Sequence, residues 1–336
     1  RIVHVCGTHE DTISQHGVRS LLPQSLKLVA GPGCPVCVSA AEDVDMAIEL
    51  ARQGHIITTF GDMIRVPGST KSLLEAKADG GDLRILYSPI EAVKIAKNNP
   101  EKEVVFFAVG FETTAPANAL SVLHAQKEGL TNYSILVSHV LVPPAMEAIL
   151  DDEFCNIDAF LGAGHVCAIM GYKDYYPLAE RYKIPIIITG FEPLDLVQGI
   201  YMAVNQLEKG THDVENQYSR AVKEEGNTAA INVINQVFKI GNREWRGIGE
   251  IPNSGYVLTK EFIDFDAESK FGISNIKVPE NPDCIAGEIL RGIKKPVECS
   301  QFGKVCNPSN PLGAPMVSSE GACAAYYHFS SNLISE

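Results

Sequence analysis

The chain has 336 residues, 45% of them hydrophobic, and a mean hydropathy of +0.02; this is enough apolar material for the cores of two or three domains. Its formal net charge of −13 excludes a nucleic-acid backbone as an expected partner, because binding one requires clustered Lys and Arg. No apolar run approaches the roughly 20 residues that span a bilayer, and the first residues do not resemble a secretory signal. We therefore predict a cytoplasmic protein without a membrane partner.

Nine cysteines are many for a cytoplasmic protein. Their odd number and uneven spacing fit a secreted disulfide framework poorly. The composition therefore favours metal binding or thiol redox chemistry.

Short β-rich segments alternate with amphipathic helical segments from the start of the chain, which is typical of an α/β fold with a parallel sheet. The alternation restarts near residue 104, where VVFFAVGFETT is similar to IVHVCGTHEDT, and an offset of about 102 to 107 residues holds through four predicted strands. Any two α/β domains could look this similar, which is the alternative. We predict two similar parallel-sheet (Rossmann-like) domains at 1–100 and 101–205, and a smaller Cys-rich, cluster-binding domain at 206–336.

The motif CGTHE (residues 6–10) directly follows the first predicted strand. Functional groups collect at the carboxyl ends of parallel strands, where loops lead into helix N-termini. Thr8 and Asp11 match a capping box, so we expect Cys6 just before a helix N-terminus, whose partial positive charge stabilises a thiolate. This favours a metal ligand or nucleophile over the alternative, a core cysteine with His9 on the helix surface.

Two further motifs follow the next two predicted strands, so all three should share one sheet edge. GPGCPVC holds Cys34 and Cys37 at a spacing that suits a reversible disulfide or half of a metal site, with inert thiols as the alternative. FGDMIRVPG adds Asp62 and Arg65, either as an orienting ion pair or as part of a solvated loop.

The second predicted domain contributes GFETTAP (110–116) and GAGHVCAIMG (162–171), which includes His165. If the two repeats face each other, these loops would line the opposite wall of a cleft. We interpret Cys155 and Cys167 as core thiols.

The last four cysteines lie in loops punctuated by glycine and proline. Four thiolates in loops suit either tetrahedral zinc or a [4Fe–4S] cluster. Closely spaced cysteine pairs are lacking, which makes a zinc ribbon less suitable, but local chemistry leaves both centres open. The four residues are Cys284, Cys299, Cys306 and Cys323.

Taken together, CGTHE, GPGCPVC, TTFGDMIRVPG, GFETTAP and the segment from GEILRGIKKP to GACAAYY resemble, in order and over nearly the whole chain, the motifs of the HypD family. These are iron–sulfur scaffold proteins of [NiFe]-hydrogenase maturation. The resemblance implies that the protein, with a small HypC-type chaperone, holds an iron ion while two cyanides and one carbon monoxide are attached. A HypE-type partner would deliver cyanide as a protein thiocyanate. Such a protein is an assembly scaffold with redox activity, not an enzyme that turns over a small molecule.

The resemblance also implies roles for single residues. Cys6 matches the iron-ligating cysteine and His9 its essential neighbour, Cys34 and Cys37 match the redox-active pair, and Glu320 matches an essential acid. Family members carry a lead-in segment before CGTHE, which we expect this chain to lack. The residues that match the ligands of the [4Fe–4S] cluster are Cys284, Cys299, Cys306 and Cys323.

Releasing cyanide from a thiocyanate takes two electrons, which is the capacity of one dithiol, and a cluster could restore that dithiol. The alternative function is a stand-alone iron–sulfur thiol-disulfide oxidoreductase with Cys34 and Cys37 as its redox pair and Cys6 as the resolving thiol. A third possibility is a two-domain binder of a small ligand with structural zinc. Iron content separates the first two, because the scaffold would bind one iron beyond the cluster.

Overall fold

A computed structural model describes residues 1–273 and 281–329. The segments 274–280 and 330–336 of the predicted C-terminal domain lie outside the described residues. The strands are β1 (Ile2–His4), β2 (Leu28–Ala30), β3 (Ile56–Phe60), β4 (Leu83–Leu86), β5 (Val104–Gly110), β6 (Tyr133–His139), β7 (Ala159–Ala163), β8 (Ile186–Thr189), β9 (Val214–Asn216), β10 (Phe238–Trp245) and β11 (Gly249–Leu258).

The α-helices are α1 (Gly7–Gln15), α2 (Pro35–Val38), α3 (Ala41–Arg52), α4 (Leu73–Ala78), α5 (Pro89–Asn98), α6 (Ala115–Lys127), α7 (Val142–Leu150), α8 (Gly164–Met170), α9 (Tyr175–Tyr182), α10 (Pro193–Lys209), α11 (Thr228–Val237), α12 (Ala267–Phe271), α13 (Ala286–Leu290) and α14 (Ala322–Phe329). Short 3-10 helices are formed by Val18–Leu21, Gly61–Arg65, Lys260–Phe265, Pro296–Glu298 and Ala314–Met316. Within the described ranges, no helix has both the length and the apolar character that crossing a membrane requires.

The chain folds into two compact units, each assembled from separate stretches. The first unit consists of Arg1–Val38, Val142–Thr228 and Pro282–Glu336, and the second unit consists of Ser39–Leu141 and Ala229–Asn281. All nine cysteines of the sequence belong to the first unit.

The first unit is built on a five-stranded parallel sheet in the order β2-β1-β7-β8-β9. Strands β1, β2, β7 and β8 are buried along their whole length, as expected for parallel strands covered on both faces. Leu161 and Ile187 of the sheet pack against Leu196 and Ile200 of α10. Because the strands are parallel, the loops after β1, β2, β7 and β8 lie at one edge of the sheet.

The second unit is built on a four-stranded parallel sheet in the order β4-β3-β5-β6. An antiparallel hairpin, β10–β11, adds to it: the Leu141 N–H after β6 donates to the Ser254 carbonyl of β11 at 2.8 Å. Trp245 of this hairpin is completely buried and donates to the Ser254 hydroxyl at 2.9 Å. The hairpin therefore supplies part of the core of this unit.

The predicted α/β class with parallel sheets is confirmed, but the observed units differ from the three consecutive domains predicted at 1–100, 101–205 and 206–336. Strand β1 pairs with β7, so the sheet of the first unit needs residues on both sides of β3–β6. Both sheets share the order second, first, third, fourth strand, which makes β1 the counterpart of β3. The sequence offset instead matched β1 with β5, because local alternation carries no information on which distant strands pair.

Candidate functional site

Cys6 lies at the end of the loop from β1 to α1 and is the N-cap residue of α1, so its predicted position before a helix N-terminus is confirmed. The predicted capping box is wrong, because the helix starts at Gly7 and therefore before Thr8. The Thr8 hydroxyl instead donates to Glu320 Oε1 at 2.9 Å. This contact brings the acid that precedes α14 to the Cys6 loop.

The Cys6 side chain is buried, and this changes its expected ionisation. Burial raises the pKa of the thiol to about 12, and the Glu320 carboxylate acts in the same direction, whereas hydrogen bonds from the backbone of His9 and Thr8 lower the pKa. The backbone of the helix N-terminus thus lowers the pKa of Cys6, as predicted, but burial raises the pKa by more. Cys6 therefore holds its proton at neutral pH and would release it only on binding a cation.

Two glycines allow three segments to meet at Cys6. A Cβ atom at Gly33 would lie 2.0 Å from Cys6 N, and the Gly7 N–H donates to the Gly33 carbonyl at 2.7 Å. A Cβ atom at Gly7 would lie 2.6 Å from the Cβ of Glu320. Only glycine fits at such close backbone approaches. The GPGCPVC loop and the segment before α14 are therefore both in direct contact with the CGTHE motif.

Cys34 and Cys37 form a disulfide bond, with Cα atoms 5.2 Å apart. Both residues are buried, and α2 starts between them at Pro35. Of the alternatives left open by the sequence, the bonded pair is the one present here. That the pair cycles between disulfide and dithiol stays a prediction.

His9 is completely buried in the same unit. Its Nε2 lies 3.2 Å from the Thr189 hydroxyl at the end of β8, and its ring packs against Phe191 with centroids 5.2 Å apart. Burial lowers the pKa of His9 well below its usual range. The imidazole is therefore neutral near pH 7 and is not the surface residue of the alternative interpretation.

The imidazole of His165 lies beside Cys6, with Nδ1 3.9 Å from the Cys6 Sγ. It follows β7, and β7 is the direct neighbour of β1. Burial lowers its pKa to about 4, and its ring packs 5.0 Å from that of Phe191. The sequence placed His165 at a strand end but in a different domain, so only the observed strand pairing identifies it as a site residue.

The four C-terminal cysteines line one cavity, whose wall also contains apolar side chains such as Ile289, Phe302 and Met316. Burial raises the pKa of Cys323 well above its usual range, and the nearby thiols of the other three cysteines act in the same direction. In residues 1–273 and 281–329, no group of three or more His, Cys, Asp or Glu is arranged to hold a metal ion. The four residues that could hold a larger centre are Cys284, Cys299, Cys306 and Cys323.

Asp62 and Arg65 belong to the second unit, on the 3-10 helix that follows β3. Of the two alternatives, the ion pair is present, with Arg65 Nη2 3.4 Å from Asp62 Oδ1, but both side chains are also exposed to solvent. Of the two predicted core thiols, Cys167 is fully buried in α8, whereas Cys155 is only half-buried. The structure thus brings Cys6, His9, the disulfide and Glu320 together in the first unit.

The chain is similar to known proteins along its whole length. The family model described as "HypD: Hydrogenase formation hypA family" matches residues 1–330. Hydrogenase maturation factor HypD2 of Bradyrhizobium diazoefficiens is 47% identical over 338 residues, which cover 98% of this chain and 89% of that protein.

Two further relatives agree with this match. Hydrogenase maturation factor HypD of Azotobacter vinelandii is 48% identical over 337 residues, covering 98% of this chain and 89% of that protein. A putative hydrogenase expression/formation protein of Methanocaldococcus jannaschii is 46% identical over 329 residues, covering 98% of this chain and 92% of that protein. With the family model and these identities over almost the full length, the chain belongs to the HypD family of hydrogenase maturation factors.

Proposed function

We propose that this protein is the scaffold on which the Fe(CN)2CO group of [NiFe] hydrogenases is assembled, with Cys6 as the protein ligand to the iron. The observation that carries the proposal is the convergence at Cys6. His165 Nδ1 lies 3.9 Å from its sulfur, and Gly33 and Glu320 contact the backbone of its loop. A thiol with a neutral imidazole beside it thus adjoins the loop that carries the Cys34–Cys37 disulfide.

The iron ion is the cargo in this proposal. A thiolate suits a low-valent iron that also binds soft cyanide and carbon monoxide. Because burial keeps Cys6 protonated, binding iron releases one proton, which the nearby Glu320 carboxylate would accept. His9 would hold or orient ligands from its position beside Phe191.

Cys34 and Cys37 would supply the electrons that free cyanide. In this step the dithiol attacks a protein thiocyanate, whose S–C bond breaks, and the carbon leaves as hydrogen cyanide while the partner sulfur becomes a thiol. The dithiol gives up two electrons and two protons, and the S–S bond between Cys34 and Cys37 forms. The disulfide found in this structure corresponds to the product of that step.

We propose that the cavity lined by the four C-terminal cysteines is the site of a [4Fe–4S] cluster. Cys284, Cys299, Cys306 and Cys323 would hold it, since all four line the same largely apolar cavity and cysteine thiolates are the usual ligands of such a cluster. When bound, the cluster would supply electrons that reduce the disulfide. A Cβ atom at Gly313 would lie 2.4 Å from the Cys284 Sγ, so this glycine lets the loop pass close to the proposed ligand.

Family membership supports work with other maturation proteins, and we propose a HypC-type chaperone and a HypE-type cyanide donor as these partners. The proposal as a whole is tested by iron content after anaerobic isolation with such partners. Cys6→Ala should lose one iron per chain and keep the iron and sulfide of the cluster. Equal iron in the variant and the parent would contradict the assignment of Cys6 and favour the stand-alone thiol-disulfide oxidoreductase.

A further inference from the structure

A buried ionic network lies behind the Cys6 loop. The Arg19 guanidinium donates to both carboxylate oxygens of Glu10, with Nη2–Oε2 at 2.6 Å and Nη1–Oε1 at 2.9 Å. His4 Nε2 lies 2.8 Å from Glu10 Oε2, and His4 Nδ1 lies 3.2 Å from the Cys6 carbonyl oxygen. The side chains of His4 and Glu10 are 1% and 2% exposed. The network therefore fixes the loop that carries Cys6.

The same arginine reaches two other parts of the first unit. Its Nε donates to the Leu28 carbonyl of β2 at 3.0 Å, and β2 leads into the loop that carries Cys34. The guanidinium carbon lies 4.9 Å from the ring centroid of Tyr326, within the range of a cation–π interaction. Tyr326 lies on α14, about one turn after Cys323. Arg19 thus connects the Cys6 loop to the helix that carries a proposed cluster ligand.

The packing around α14 depends on the proposed cluster ligands. Cys323 packs against a buried cluster of Ala30, Ile289 and Ala322. It also packs against a second cluster of Cys306, Met316 and Ala324. These clusters are small, so a centre bound by the cysteines would contribute much of the order of α14.

We propose that Glu10 and Arg19 are positioning residues that couple occupation of the four-cysteine cavity to the geometry of the Cys6 site. This inference rests on the proposed function, because it requires an iron–sulfur centre in that cavity. A bound centre fixes α14, Tyr326 then holds Arg19, and Arg19 holds Glu10 and His4 against the Cys6 loop. Without the centre, α14 moves more freely and the loop opens more often. A buried ion pair suits this role, because it permits few alternative arrangements.

The test measures how fast a small alkylating reagent reacts with Cys6 in the full chain, as followed by peptide mass spectrometry under anaerobic, non-reducing conditions. The protein is compared before and after reconstitution with iron and sulfide. The iron content is first adjusted to equal the content of acid-labile sulfide, so that no iron beyond the cluster occupies Cys6. The half-buried Cys155 serves as the internal reference. We expect alkylation of Cys6 to be on the order of tenfold slower in the reconstituted protein, within the range of coupled sites.

Arg19→Lys cannot reproduce the two-pronged contact with Glu10 and should remove most of that tenfold difference while the iron and sulfide content stays unchanged. Arg52→Lys is the matched control, because Arg52 pairs with Glu49 on an exposed surface, and should keep the difference. Should Arg19→Lys fold poorly, Tyr326→Leu removes only the ring contact and should reduce the difference in the same direction.

The outcomes separate the two proposals. A chain that binds no iron–sulfur centre at the four cysteines contradicts the proposed function. If the chain binds the centre but Cys6 is alkylated equally fast before and after reconstitution, the coupling alone is overturned. If Arg19→Lys speeds the alkylation of Cys6 and of the buried Cys167 by the same factor, with or without the centre, the network has only a structural role. That result also overturns the coupling.

Discussion

The two units share a strand order but differ completely in chemistry. At the end of its first strand the first unit carries Cys6, whereas the second unit carries Asp62 at the corresponding position after β3. At the end of the third strand the residues are His165 and Glu112, respectively. All nine cysteines belong to the first unit. The residues at the strand ends, and not the fold, therefore decide where the candidate site lies.

Both units bury polar side chains, but only the first buries them next to the candidate site. The first unit buries charge, in the Glu10–Arg19 pair: burial acts to raise the pKa of Glu10, but Arg19 and His4 lower it to about 2. The second unit also buries charged residues, namely Asp43, Glu112 and Arg246, together with the neutral pair of His139 and Asn118, whose side chains hydrogen-bond to each other. The charged pair lies beside the proposed iron site, whereas the neutral pair lies within a core that contains no cysteine.

The largest expected effect concerns the four-cysteine cavity. Cys323→Ala should abolish the proposed cluster, measured as a brown chromophore and as bound iron, while the main thermal unfolding transition persists because the cores of the two sheets lie elsewhere. Optical spectra, iron analysis and calorimetry measure this. Cys155→Ala is the control and should keep the chromophore. Full iron content in Cys323→Ala would overturn its assignment as a ligand.

Two glycines that follow strands, one in each unit, should respond differently to substitution. Gly33→Ala forces a Cβ atom to within 2.0 Å of Cys6 N and should reduce the free energy of unfolding by about 3 kcal/mol or more. Gly61→Ala places its Cβ atom 3.7 Å from Ile85, an ordinary contact, and should cost about 1 kcal/mol or less. Denaturant unfolding measures both. Similar losses in the two variants would show that the Cys6 loop tolerates displacement.

The buried histidine of the second unit should make the protein sensitive to acid. Burial lowers the pKa of His139 from 6.5 to about 3. Between these values the unfolded chain takes up a proton that the folded chain does not, so the free energy of unfolding falls as the pH falls, by about 1.4 kcal/mol per pH unit. Glu10 keeps its charge through most of this window and does not add to the effect above pH 5.

His139→Gln removes this titration. The slope of the free energy of unfolding against pH should therefore decrease by the contribution of about one proton. Urea unfolding of the variant and the parent between pH 7 and pH 4.5 gives the two slopes. Equal slopes for the variant and the parent would mean that His139 takes up its proton in the folded state as well.

The smallest effect is expected at the exposed ion pair of the second unit. Asp62→Asn breaks the 3.4 Å contact with Arg65 and should change the free energy of unfolding by less than about 1 kcal/mol, as for other exposed pairs. Unfolding and maturation are measured on the same samples. Loss of maturation at unchanged stability would give the predicted orienting role to this pair, whereas a large loss of stability would contradict its exposed, weak geometry.

The sequence predicted the strand-end position of Cys6, because that position depends on local pattern. For the same reason it offered the disulfide of Cys34 with Cys37 and the ion pair of Asp62 with Arg65, but only as one alternative among others. It did not predict that β1 pairs with β7, because parallel pairing between distant segments leaves no local signal. For the same reason the contact of His165 with Cys6 was missed. The raised pKa of Cys6 was also missed, since burial is set by the packing of Gly33 and Glu320 around the loop.

Infrared spectroscopy tests the central claim most directly, because protein has no bands where metal-bound cyanide and carbon monoxide absorb. The complex isolated anaerobically with its maturation partners should show these bands, and Cys6→Ala should lose them while keeping the cluster. His9→Ala should lose nearly all of their intensity. A stable Cys6→Ala protein that still shows the cyanide and carbon monoxide bands would contradict the assignment of Cys6 as the residue that holds the iron.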